Sequence, residues 1–229
     1  MAGRSPALMF CPVPPPPLFA VNHRPLLTSH PWHGVTALSE DPKLVHAFIE
    51  MLPTGEVKYE VDKPSGLLRL DRPQQFSSLC PALYGFIPQT WCDRDVAARC
   101  MSRTALNAIV GDGDPMDICV LTNITVPYAP FLVDVRPIGG FRMIDNGEAD
   151  DKIIAVMPAD SSFGHMHDLN DCPRGLIERL EHYFLTYKQS PRRPARAVQI
   201  AEEYGADEAW ETIRASQRDY RNGFGGSEE

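Results

Sequence analysis

Short runs of alternating or wholly apolar residues, each cut off by glycine or proline, restrict this chain to a small, tightly turned sheet. Val57, Tyr59 and Val61 alternate with Lys58, Glu60 and Asp62, the two-residue period of a strand with one buried face. Pro64-Ser65-Gly66 supplies a turn, and Leu68 and Leu70 carry the pattern back, which predicts a hairpin. Further strands are expected at 118–122, 132–136, 140–144 and 153–157. Strands this short, punctuated this often, favour a barrel. Beyond Pro173 the period changes. Leu176, Ile177, Leu180, Tyr183, Phe184 and Tyr187 recur as on one helix face, and Ala206, Ala209, Trp210 and Ile213 predict a second, weaker helix. The stretch 91–109 is polar and aperiodic and reads as an inserted loop.

A chain of 229 residues fits one domain with extensions. The expected organisation is a Pro-rich, disordered tail over 1–30, one domain over 31–221 and a flexible end at 222–229. Thirty acidic against 22 basic residues give a net charge of −8. That balance argues against general nucleic-acid or anionic-membrane binding, which needs a basic face. It leaves room for an anionic ligand, because bound cations can reverse the field within one cleft. Six scattered cysteines, with no CxxC pair, read as thiols in a reducing, cytoplasmic setting rather than as a disulfide framework. No apolar run approaches the ~20 residues that span a bilayer. The first thirty residues lack acids and carry Arg4 and Arg24, as an organelle leader does, but Pro12 and Pro14 to Pro17 favour a polyproline tail.

The segment richest in chemistry is Gly111-Asp112-Gly113-Asp114-Pro115-Met116-Asp117, three carboxylates within six residues. Charges so close repel unless they spread into solvent or converge on cations. A solvated turn is the plain reading of such a loop taken alone. A calcium EF-hand fails on spacing, since counting from Asp112 puts Met116 at position 5 and Asp117 at position 6. A second acidic stretch, Asp145-Asn146-Gly147-Glu148-Ala149-Asp150-Asp151-Lys152, also falls between expected strands. Two such loops at one barrel mouth favour shared hard cations, Mg²⁺ or Mn²⁺ rather than zinc.

The stretch Asp112-Gly113-Asp114-Pro115-Met116-Asp117-Ile118 resembles the signature of the family I soluble inorganic pyrophosphatases. The likeness continues in order on both sides, in Lys58-Tyr59-Glu60-Val61-Asp62-Lys63 with Leu70-Asp71-Arg72, in Pro81-Ala82-Leu83-Tyr84-Gly85-Phe86-Ile87-Pro88, in Arg136-Pro137-Ile138-Gly139, and in His182-Tyr183-Phe184 with Tyr187-Lys188. The resemblance implies a mainly β fold, a five-stranded OB-like antiparallel barrel with flanking C-terminal helices, and hydrolysis of pyrophosphate with Mg²⁺ or another divalent cation. It implies that Asp112, Asp117 and Asp150 bind two activating metals, with Asp117 bridging, and that Asp145 and Asp150, helped by Glu50, hold a further metal arriving with substrate. Asp114 is the implied general base. Lys58, Arg72, Tyr84, Lys152, Tyr187 and Lys188 are implied to meet the substrate, with Glu60 in support. A homo-oligomer, a hexamer or a dimer, is implied as well.

Two departures stand out. Cys80 precedes the turn proline where many members carry tyrosine, and the 91–109 stretch is longer than in compact members. His165, His167 and Cys172 lack a fourth ligand at zinc spacing and read as a polar loop. Arg192, Arg193 and Arg196 make too small a cluster for nucleic acid. A catalytically silent scaffold would have lost Asp114, Asp117 or Lys152, and all three are present. A nucleotide phosphatase would need a base-binding pocket that the sequence does not display.

Overall fold

The computed structural model describes residues 30–53, 55–75, 77–189 and 197–225; the tail up to residue 29, the Arg192, Arg193 and Arg196 cluster and residues 226–229 lie outside them. In chain order the strands are β1 (Val45–Met51), β2 (Val57–Val61), β3 (Leu68–Pro73), β4 (Leu83–Phe86), β5 (Val110–Gly111), β6 (Asp117–Leu121), β7 (Phe131–Asp145), β8 (Glu148–Ala149), β9 (Lys152–Val156) and β10 (Val198–Gly205). The helices are α1 (Arg94–Thr104), α2 (Arg174–Thr186) and α3 (Ala206–Phe224).

Five strands close a ring in the order β1, β4, β6, β9, β7, with β7 pairing back to β1. The expected OB-like barrel is therefore present, antiparallel except for the parallel pair β6–β9. Successive residues of the wall face opposite sides. Ile118, Val120, Ile153 and Ala155 join one apolar cluster with α1 and α3, while Cys119, Leu121, Ile154 and Val156 join another under α2. Each fully buried aliphatic side chain contributes ~1.5–3 kcal/mol. Both faces of the wall are thus fixed, and the mouth bearing Asp117 and Lys152 is held rigidly.

The expected hairpin β2–β3 is present, as a separate two-stranded sheet, but its alternation does not bury a face, since Tyr59 and Leu70 are exposed. The helix after Pro173 is α2, with Pro173 at its N-cap. Three expectations change. The stretches 132–136 and 140–144 are one strand, β7, because a register shift between Pro137 and Gly139 absorbs the proline that looked like a break. The 91–109 stretch is not a loop, since it contains α1, whose Val96, Ala97 and Cys100 are buried. Its start is capped from a distance: buried Asp219 on α3 accepts the N–H groups of Asp93 at 3.0 Å, Asp95 at 2.9 Å and Val96 at 3.0 Å. Finally, α3 runs through Asn222 to Phe224, and the Phe224 ring lies 5.2 Å from both Trp32 and Trp91.

Candidate active site

The mouth of the barrel and the β2–β3 hairpin enclose a cavity of about 250 Å³. Glu50, Glu60, Asp114, Asp117 and Asp150 face Lys58, Lys63, Arg72, Lys152 and Lys188 across it, with Tyr84 and Tyr187 in its wall. Strand register creates the central group. Asp117 is the parallel partner of Lys152 and stands opposite Phe86 on β4, so its carboxylate and the Lys152 ammonium emerge on one face. Lys152, at most 1% exposed, contacts both Asp117 and Asp150. Burial works against its charge, but Asp117 and Asp150 outweigh that and hold its pKa well above the ordinary value. Tyr84 donates its hydroxyl to Asp117 at 2.5 Å.

The first acidic loop is shaped by its glycine and by the segment leading into α1. Gly113 has φ +73°, where a side chain would be strained. Gly113 donates to the Cys92 carbonyl at 3.0 Å, and the Cys92 N–H donates to the Asp114 carbonyl at 2.9 Å. Asp112 accepts the Asp114 N–H at 2.9 Å. Burial and the charge of Asp150 push the Asp112 carboxyl up to about 9. Asp114, half exposed at the rim, pairs with Lys63, whose ammonium also donates to the Gly113 carbonyl at 3.1 Å. In the second loop, Lys188 bonds Asp145 at 2.7 Å and lies 4.0 Å from Asp150. Glu50, at the end of β1, accepts the Val61 N–H at 2.7 Å; burial pushes its carboxyl up to about 8. Lys58 pairs with Glu60, Arg72 with Asp71, and the Arg72 guanidinium lies 6.0 Å from the Tyr187 ring.

Eleven of the thirteen expected site residues line the cavity; Asp112 and Asp145 do not, being held by Asp114 and Lys188. Among the described residues no three carboxylate, imidazole or thiolate groups lie close enough to enclose an ion. The carboxylates expected to converge are instead drawn onto Lys152, Lys188 and Lys63, the cations within reach. Lys63 and Trp32 also line the cavity and are not among the expected site residues. The hairpin motif contained Lys63, whereas Trp32 comes from a segment preceding the barrel with no local signal. Cys80 lies in the core beneath α2, where burial pushes its thiol up to about 11. In the polar loop before α2, Asp171 accepts the His167 and Asp168 N–H groups at 2.8 and 3.0 Å.

The family profile described as Inorganic pyrophosphatase matches residues 47–221, most of the chain and all of this cavity's barrel residues. The chain belongs to the inorganic pyrophosphatase family. It is 44% identical over 209 residues to the inorganic pyrophosphatase of Chlamydia muridarum, covering 89% of this chain and 100% of that one. The soluble inorganic pyrophosphatase of Oryza sativa subsp. indica is 34% identical over 190 residues, covering 83% of this chain and 78% of its own length. Among solved structures, inorganic pyrophosphatase from Thermus thermophilus superposes with a TM-score of 0.69 at 28% identity, over 84% of this chain and 99% of that one. As a pyrophosphatase the chain is a hydrolase of the inorganic diphosphatase class. Among its described residues no helix is long and apolar enough to cross a membrane.

Proposed function

We propose that the chain hydrolyses inorganic pyrophosphate to two phosphates in this cavity, with Mg²⁺ ions held by its carboxylates. One observation carries the reading: five carboxylates and five cationic side chains face each other around about 250 Å³. That composition fits a small polyanion arriving with divalent cations. The donors fit hard cations, because they are oxygens and because Asp112, already repelled by Asp150, gains from a neutralising ion. Asp112, Asp117 and Asp150 would hold two ions with Asp117 shared, and Asp145 and Asp150, with Glu50, another. When bound, Mg²⁺ lowers the pKa of a coordinated water and offsets charge on phosphate oxygens; Mn²⁺ satisfies the same ligands.

The side chains supply the remaining steps. Asp114 takes a proton from the attacking water. Water oxygen bonds one phosphorus while the bridging oxygen leaves with the electron pair of its own P–O bond. Lys152 and Lys188, exchanging their carboxylates for phosphate, act as point charges with Lys58, and Arg72 contacts phosphate through two N–H groups. The Tyr84 and Tyr187 hydroxyls orient the substrate, and Glu60 positions Lys58. We take 31–221 as one catalytic domain and infer a homo-oligomer acting in the cytoplasm, a setting that the five buried, free cysteines at 80, 92, 100, 119 and 172 suit. The test is phosphate release from pyrophosphate, nucleoside triphosphates and phosphate monoesters, with Mg²⁺ or with a chelator. Rapid release from pyrophosphate alone, abolished by chelation, supports the reading. Release unaffected by chelation, or preferring a nucleotide, overturns it.

A further inference from the structure

Behind Asp150 and Lys152 lies a buried charge network that the chemistry above leaves unused. Arg142 on β7 is 0% exposed and Asp151 is 3% exposed. The Arg142 guanidinium bonds Glu202 at 2.5 Å, Glu208 at 2.6 Å and Thr212 at 3.3 Å, and its Nε lies 3.5 Å from Asp151 Oδ2. Tyr204 donates its hydroxyl to the same oxygen at 3.1 Å, with its ring 5.0 Å from the guanidinium. Glu208 also accepts two bonds from Arg99 of α1, at 2.8 and 2.6 Å, and Glu202 one from Arg103 at 2.6 Å.

Buried ion networks stabilise a fold no better than well-packed apolar side chains. Stability gives no reason for this one, but its location does. Asp151 sits between Asp150 and Lys152 in the chain, and its Oδ1 is buried without a hydrogen-bond partner. The backbone there is confined as well. A Cβ at Gly140 would fall 2.6 Å from the Lys152 carbonyl oxygen and 2.6 Å from the Tyr204 ring, so that strand, ring and peptide touch only because Gly140 has no side chain. The Asp150 N–H is tied to the Met143 carbonyl at 3.0 Å.

We propose that Asp151, clamped by Arg142 and Tyr204, is a positioning residue that fixes the turn carrying Asp150 and Lys152 and thereby sets the affinity of the cavity for divalent metal. The inference rests on the metal reading above. It gives α1 a purpose, because Arg99 and Arg103 brace the far side of the same clamp. An exchange of Asp151 for asparagine keeps the shape and removes the charge that faces the Arg142 Nε at 3.5 Å. Such supporting residues typically change metal affinity by ~10–100-fold.

The test is Mn²⁺ binding to the full chain without substrate, followed by the electron paramagnetic resonance of the free ion. Asp151→Asn should weaken binding by ~10–100-fold and Tyr204→Phe by less, while Val45→Ala, a core change on β1, should lower the thermal midpoint with binding within about two-fold of the parent. Asp151→Asn binding within about two-fold of a parent that does bind Mn²⁺ overturns the inference and leaves the metal site standing. If Asp151→Asn does not fold, Tyr204→Phe decides, and an effect no larger than that of Val45→Ala overturns the proposal. A parent that takes up no Mn²⁺ overturns the metal reading and this inference together.

Discussion

Replacing Lys152 by methionine removes the cation that separates Asp117 from Asp150 and keeps an unbranched side chain of similar length. Lys152 is 1% exposed at its side chain and the two carboxylates 23% and 10%, so the change leaves two poorly solvated negative charges beside each other. Breaking a buried pair by deleting one partner costs ~3–5 kcal/mol. The partial exposure of Asp117 places this case at the lower end, about 3 kcal/mol. For a chain of this size each kcal/mol moves the thermal midpoint ~2–4 °C, so the metal-free variant should melt ~6–12 °C below the parent. Divalent metal replaces the lost cation, so the variant, with its two carboxylates unpaired, should bind it more tightly than the parent, and each ten-fold of that difference narrows the gap by about 1.4 kcal/mol. Scanning calorimetry of both proteins with chelator and with Mg²⁺ measures each quantity. The gap should narrow when Mg²⁺ is added. A metal-free gap below ~2 °C, or one that widens with Mg²⁺, would refute the electrostatic argument.

The metal-free protein should lose stability as pH rises. Glu50 and Asp112 have carboxyls pushed up to about 8 and about 9, so the folded chain keeps protons that the unfolded chain releases near pH ~4, and ΔG of unfolding falls from there to pH ~9. Thermal midpoints across that range should decline, less so in Glu50→Gln and with Mg²⁺ present; a flat or rising profile contradicts the prediction. Asp219→Ala strips the cap from α1, leaving the Asp93, Asp95 and Val96 N–H groups without their acceptor, and should cost about 2 kcal/mol, or ~4–8 °C in the thermal midpoint. An unchanged melting curve would mean that water or a neighbour replaces the carboxylate.

Features of the fold written in local period were legible in the sequence. The hairpin alternates over Val57–Val61 and returns through Leu68, and α2 repeats its apolar residues after Pro173. Features supported from a distance were not. Helix α1 has a polar surface with Val96, Ala97 and Cys100 as its buried face, and its cap is a carboxylate more than a hundred residues away. Strand β10 has mainly half-exposed residues and owes its conformation to pairing with β7. The break read at Pro137 is a register shift that only the partner strand reveals. In the site, clustered aspartates and the hairpin lysine and arginine carried enough chemistry to be found. Trp32 reaches the cavity from a segment without chemical signal, and Asp151 is one acid among several in the sequence, whereas the structure buries it beside Arg142 and Tyr204.

The most direct test of the central claim is phosphate release from pyrophosphate at saturating Mg²⁺ by the parent and by Asp114→Asn, with Mn²⁺ binding measured on the same samples. Asp114 lies half exposed at the cavity rim, so the exchange should leave the fold intact. If Asp114 accepts the proton of the attacking water, turnover falls by ~10²–10⁴-fold while metal binding persists. Turnover within about ten-fold of the parent would contradict that role, and with it the account of how these carboxylates divide the work.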